Sequence, residues 1–119
     1  MSSAAQQAPG ITRADLQQDD LSVPGLEMIQ NRVEISPEAP PIRHFHYGEE
    51  IIYALEGELE YEIEGEGART VKAGEALMVP AQAVHSVRAV GGRSGAELAT
   101  YVVEKGKPLI TLAEEGSPA

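Results

Sequence analysis

Glycine or proline breaks this chain roughly every eight to twelve residues, and no long helical pattern survives between the breaks. Pro24-Gly25, Pro37, Pro40-Pro41, Gly57, Gly65, Gly67, Gly74, Pro80, Gly91-Gly92 and Pro108 punctuate it in turn. Short segments between regular turns are strands, so the expected class is all-β, a sandwich or a barrel. Residues 26–35, 42–46, 69–72, 76–79, 84–90, 96–104 and 109–112 read as strands. Segments 50–55 and 58–64, flanking Glu56-Gly57, read as a hairpin, and the second arm alternates strictly between apolar residues and glutamates. Residues 11–22 are open between a short helical turn capped by Thr12 and an edge strand. The expected organisation is a disordered N-terminal tail over 1–10, one barrel domain over 11–113 and a polar tail over 114–119.

Composition narrows the partners. The 119 residues suit one domain with a small core. Hydrophobic residues make up 42% but aromatics only 4%, so the core must rest on Val, Ile, Leu and Ala. A net charge of −10 repels phosphate backbones and anionic membranes, so neither nucleic acid nor membrane is an expected partner. An anionic substrate stays open, because a metal can dominate the local field. No stretch approaches the roughly 20 apolar residues of a membrane span. With no cysteine there are no disulfides, thiolate ligands or Cys nucleophiles. The first residues lack the basic and apolar regions of a signal peptide, and a cytoplasmic location is expected.

The three histidines carry the chemical signal. Residues two apart on a strand share a face, so His44 and His46 project side by side. Glu50 can reach the same point after a turn at Gly48, and His85 comes from a different strand. Three imidazoles and a carboxylate suit one borderline divalent metal: Fe, Mn, Ni, Cu or Zn. Without His85, two histidines and Glu50 would still form a facial triad of the non-haem iron type. Ile52 and Tyr101 are candidate lining residues of the pocket. Glu49 reads as a solvated rim residue, Arg43 as a surface ion pair, Met78 as packing, Tyr53 as outward-facing and Tyr61 as core. No general base stands out, and no catalytic residue is assigned. Neither a phosphate loop nor a Ser-His-Asp arrangement is present.

These residues resemble the cupin superfamily. Its first motif is Gly, five residues, His-x-His, three or four residues, Glu, six residues, Gly. His44, His46, Glu50 and Gly57 match in register, with Glu38 in place of the leading glycine. The second motif is Gly, five residues, Pro-x-Gly, two residues, His, three residues, Asn. Gly74, Pro80 and His85 match, while Gln82 replaces the glycine and Ala89 the asparagine. The resemblance implies a small single-domain double-stranded β-helix, or jelly-roll, barrel with a metal in its mouth. Members of the superfamily include dioxygenases, isomerases, epimerases, decarboxylases, lyases and binding proteins, so it names the fold better than the reaction.

The expected function is a mononuclear metal-binding cupin acting on a small organic molecule, with an oxygenase-like enzyme as the leading reading. The alternatives are a redox-silent isomerase, epimerase or lyase, or a binding or sensor module without turnover. A homodimer is expected, because few aromatics leave apolar edge surface and the segment 11–35 can pair with a neighbour's sheet.

Overall fold

The computed structural model describes residues 8–113. Residues 1–7 and 114–119, most of the two expected tails, lie outside the described residues. Ala8 to Gly10 form a turn, in which Ile11 N donates to Ala8 O at 2.9 Å and Ser36 N to Gly10 O at 2.9 Å.

Ten strands follow: β1 (Ile11–Asp20), β2 (Leu26–Ile35), β3 (His44–Phe45), β4 (Gly48–Glu56), β5 (Glu58–Ile63), β6 (Gly67–Lys72), β7 (Ala76–Val79), β8 (His85–Val90), β9 (Gly95–Glu104) and β10 (Thr111–Leu112). They form two five-stranded sheets, in the orders β1-β2-β9-β4-β7 and β10-β3-β8-β5-β6. All ladders are antiparallel. This is the jelly-roll arrangement. No helix among the described residues is long and apolar enough to cross a membrane.

One core fills the space between the sheets. From the first sheet come Val33, Ile35 and Ile52, and from the second Leu59, Tyr61 and Ile63. Each such aliphatic side chain, taken fully out of water, contributes about 1.5–3 kcal/mol. The alternation in 58–63 is realised as expected: Leu59, Tyr61 and Ile63 are buried, and Glu62 is exposed.

The expected hairpin at Glu56-Gly57 is not one. β4 pairs with β7 and β9, whereas β5 pairs with β6 and β8. Gly57 is therefore a corner between the two sheets. Its φ is 70°, and a Cβ there would lie 2.6 Å from Ser94 O. A one-residue gap looks the same locally whether the chain folds back or changes layer. Segment 11–22 resolves to the edge strand β1, and the strand expected over 42–46 shortens to two residues. Met78 is not packing: it is 54% exposed, because Leu77 and Val79 take the inward positions of a four-residue strand. It stands opposite Ile51, and with Tyr53 and Leu55 the pair leaves an apolar strip on the outer face of the first sheet.

Candidate metal centre and cavity

Pleat parity assembles one wall of the site on the first sheet. Glu50, Ile52 and Ala54 of β4 stand opposite Tyr101, Ala99 and Glu97 of β9. β2 extends these rows with Ile29, Asn31 and Val33. β1 adds Asp15 opposite Asn31 and Arg13 opposite Val33. Polar groups far apart in sequence thus share an inner face. Arg13 Nη1 donates to Tyr101 Oη at 3.1 Å. With the Asn31 amide oriented to satisfy both ends, its oxygen accepts from Arg13 Nη1 and its nitrogen donates to Asp15, each at 3.2 Å. Tyr61, from the second sheet, donates to the buried Glu97.

The other wall carries the histidines. His44 pairs directly with His85 across β3 and β8, and their ring centroids are 4.3 Å apart. His46 follows β3, 5.0 Å from each of the other two rings and edge-on to Tyr101. One donor atom from each histidine lies within 4.8 Å of the others, a group that could hold a metal ion. Glu50 Oε1 is 3.1 Å from Nε2 of both His46 and His85.

The tautomers decide what this cluster can do. Nδ1 of His44 contacts Ile42 O at 2.8 Å, that of His46 Leu109 O at 2.7 Å, and that of His85 Ala83 O at 2.9 Å. A carbonyl only accepts, so each Nδ1 carries its proton. In a neutral ring Nε2 is then a bare lone pair. Two such lone pairs converge on one carboxylate oxygen. Either a cation lies among them or the rings are protonated in a buried site. Tethering Nδ1–H to a fixed acceptor is also how metal-ligating histidines are oriented. The residues therefore fit a metal.

Beside the cluster is a cavity of about 40 Å³, lined by Arg13, His44, Glu50, Tyr61, His85, Glu97 and Tyr101 among others. That is room for about three water-sized particles. A larger hollow of about 150 Å³ at the β1 bulge contains no histidine.

The family model for the cupin domain matches residues 31–103, well over half of the chain. The chain belongs to the cupin family. No curated protein matches it in sequence. A cupin-like protein from Thermotoga maritima is 20% identical over 86% of this chain and 74% of its own, with a TM-score of 0.69. KdgF from a Halomonas species is 24% identical over 83% of this chain and 84% of its own, with a TM-score of 0.65. The oxalate decarboxylase of Lactobacillus farciminis has a TM-score of 0.72 at 16% identity; this cupin covers 92% of itself in the match but only 33% of that enzyme. At such identities the likeness speaks for the fold alone. The cupin-motif glycine replaced by Gln82 has a structural counterpart: Gln82 adopts a left-handed φ of 63°. This glycine-like conformation puts Gln82 N 2.9 Å from His46 O, to which it donates.

Burial and charge tune the groups of this cupin against each other. Burial, reinforced by the neighbouring His85 and His46, pushes His44 down to about 3, so it is neutral. Burial opposes charge on Glu50, but hydrogen bonds from His46 and His85 prevail and hold it well below the ordinary carboxylate range. Burial also opposes charge on His85, yet the bond to Glu50 raises it above the ordinary value. Glu97 goes the other way: burial and the nearby Glu50 charge push it up to about 8.

Glu97 gives a pH prediction. Between its ordinary value of 4.5 and about 8, the folded metal-free protein keeps a proton that the unfolded chain has released. The folded state binds more protons, so this group's contribution to stability falls as pH rises through that window, by about 5 kcal/mol. Glu97→Gln keeps an acceptor for Tyr61 and removes the titration. Thermal melts from pH 4.5 to 9 should show the variant gaining on the metal-free wild type as pH rises. Parallel curves would refute the assignment of a buried, neutral carboxyl.

Of the residues singled out in the sequence, Glu49 is exposed, Tyr53 is 46% exposed, and Arg43 pairs with Glu64 at 2.9 Å. Tyr101 lines the cavity, while Ile52 is fully buried in the core and is not among the lining residues. Arg13, Asn31 and Glu97 escape sequence reading. The one available signal was Glu97, a lone carboxylate in phase with Tyr101 on a strand otherwise apolar along that face.

Proposed function

We propose that this cupin is a metal-dependent enzyme acting on a small organic molecule, with His44, His46, Glu50 and His85 as ligands to one divalent transition metal. The observation that supports the metal is the convergence of Nε2 of His46 and His85 on one Glu50 oxygen, with every Nδ1 tied to a main-chain carbonyl. Bound there, the metal would act as a Lewis acid or pass electrons. The chain's own residues supply the rest: apolar side chains shed water from the cavity, and Glu97, hydrogen-bonded to Tyr61, holds a proton beside it.

That buried carboxyl favours a redox-silent reaction, an isomerisation or lyase step in which Glu97 gives or takes a proton. The oxygenase-like reading draws support from the mixed histidine–carboxylate donor set. Purification without chelating resin, elemental analysis, and assays with Zn and with Fe separate the two. Metal near one equivalent per chain with turnover retained in Zn supports proton transfer. Oxygen uptake with Fe and loss of activity in Zn supports the oxygenase. Metal far below one equivalent after incubation with each candidate ion contradicts the metal site itself. A homodimer is also proposed, supported by the open edge of β1 and the apolar strip around Ile51 and Met78. Gel filtration showing only a 12.7 kDa species would exclude it.

A further inference from the structure

We infer that the cavity beside the histidines takes a small carboxylate, and that Arg13 is the anchor for its charged end. This rests on the metal reading for its charge balance and on Arg13 for its specificity.

Arg13 arrives from the edge strand β1 and lines the same cavity as Glu50 and His85. Its environment is unusual for a guanidinium. Among the described residues no carboxylate lies within ion-pair distance of it. Its two hydrogen-bond partners, Tyr101 Oη and the Asn31 amide oxygen, are both neutral, and both are served by Nη1. Nε is buried and has no acceptor among the described residues. A guanidinium offers five N–H donors in a fixed fork; Arg13 is half-buried, and its Nε, cut off from solvent, is left without the acceptor that such a group calls for. The nearest acidic groups are committed elsewhere: Glu50 Oε1 to His46 and His85, Glu97 to Tyr61, and Asp15 to Asn31. An acceptor brought by a ligand would complete the fork.

Charge and size define that ligand. In a protein of net charge −10, an anion enters only where the local field is positive. A divalent cation with Arg13 outweighs the Glu50 carboxylate, so the filled site attracts an anion although the protein as a whole repels it. Carboxylate geometry matches the guanidinium fork. A cavity of about 40 Å³ suits an acid of a few non-hydrogen atoms.

The test is titration calorimetry of full-length protein with acetate and oxalate, against acetamide and oxamide as neutral counterparts, in the metal-free and the Zn-loaded state. Wild type, Arg13→Met and Arg13→Lys are compared, and metal content is measured on each. Expected are a preference for the acids over the amides, at least a tenfold loss of acid affinity in Arg13→Met, partial recovery in Arg13→Lys, and unchanged metal content. Equal binding of acids and amides, no acid binding in either state, or acid affinity unmoved in Arg13→Met would overturn the proposal. Failure of the metal reading shows separately, as no Zn uptake by wild type; Arg13-dependent acid binding in that protein would still support the anchor. If Arg13→Met does not fold, the acid-over-amide preference of wild type and the affinity of Arg13→Lys decide the question.

Discussion

Replacing His85 by alanine should lower metal affinity by more than about 100-fold, since changing a partner that only orients a ligand already costs 10–100-fold. His85 faces His44 across the ladder and shares Glu50 Oε1 with His46. Without it two imidazoles and the carboxylate remain, and the second sheet no longer contributes from β8. A chelator competition titration reads the change directly. A second effect is expected in the metal-free protein. Glu50 is buried and held ionised by two imidazoles, so losing one leaves its charge half-compensated and should destabilise the fold by about 3 kcal/mol. Glu49→Gln, one residue away and exposed, should change neither quantity. Full metal affinity in His85→Ala would remove this histidine from the site.

The largest effect on folding is expected at Gly48, two residues before Glu50. Gly48 stands opposite Val103 in the β4–β9 ladder, and a Cβ placed on it would fall 1.8 Å from Val102 O and 2.7 Å from Val103 Cα. Both contacts are main chain, so no side chain can rotate away. The strands must part where β4 begins, at the point that aims Glu50 at the histidines. Gly48→Ala should therefore cost about 3 kcal/mol or more, as overpacking against immovable atoms does. Urea unfolding followed by far-UV circular dichroism measures this, and metal affinity should fall with it. A variant as stable as wild type would mean that the two strands lie farther apart than the ladder implies.

What could be read in the chain divides along local and non-local lines. Leu59, Tyr61 and Ile63 alternate with glutamates, and period two needs only neighbours. His44, His46 and Glu50 sit close enough for spacing alone to bring them together, and His85 joins through the cupin pattern. Arg13 and Glu97 are different. They line one cavity only because β1, β2 and β9 pair in a register that aligns Arg13, Val33 and Glu97 in one row. No local pattern encodes that register. The corner at Gly57 failed for the same reason, because which sheet a strand joins is settled by partners far along the chain. Met78 shows the limit of reading hydrophobicity by residue type: on a short outer strand, parity outranks character.

The clamp on the imidazoles is made entirely of peptide oxygens, from Ile42, Ala83 and Leu109. Substitutions at those three positions leave the oxygens in place, so their identity can drift while the rings stay aimed. Inserting or deleting one residue in any of those loops would swing the carbonyl away. The centre should thus tolerate changes of spelling around it and fail on changes of length.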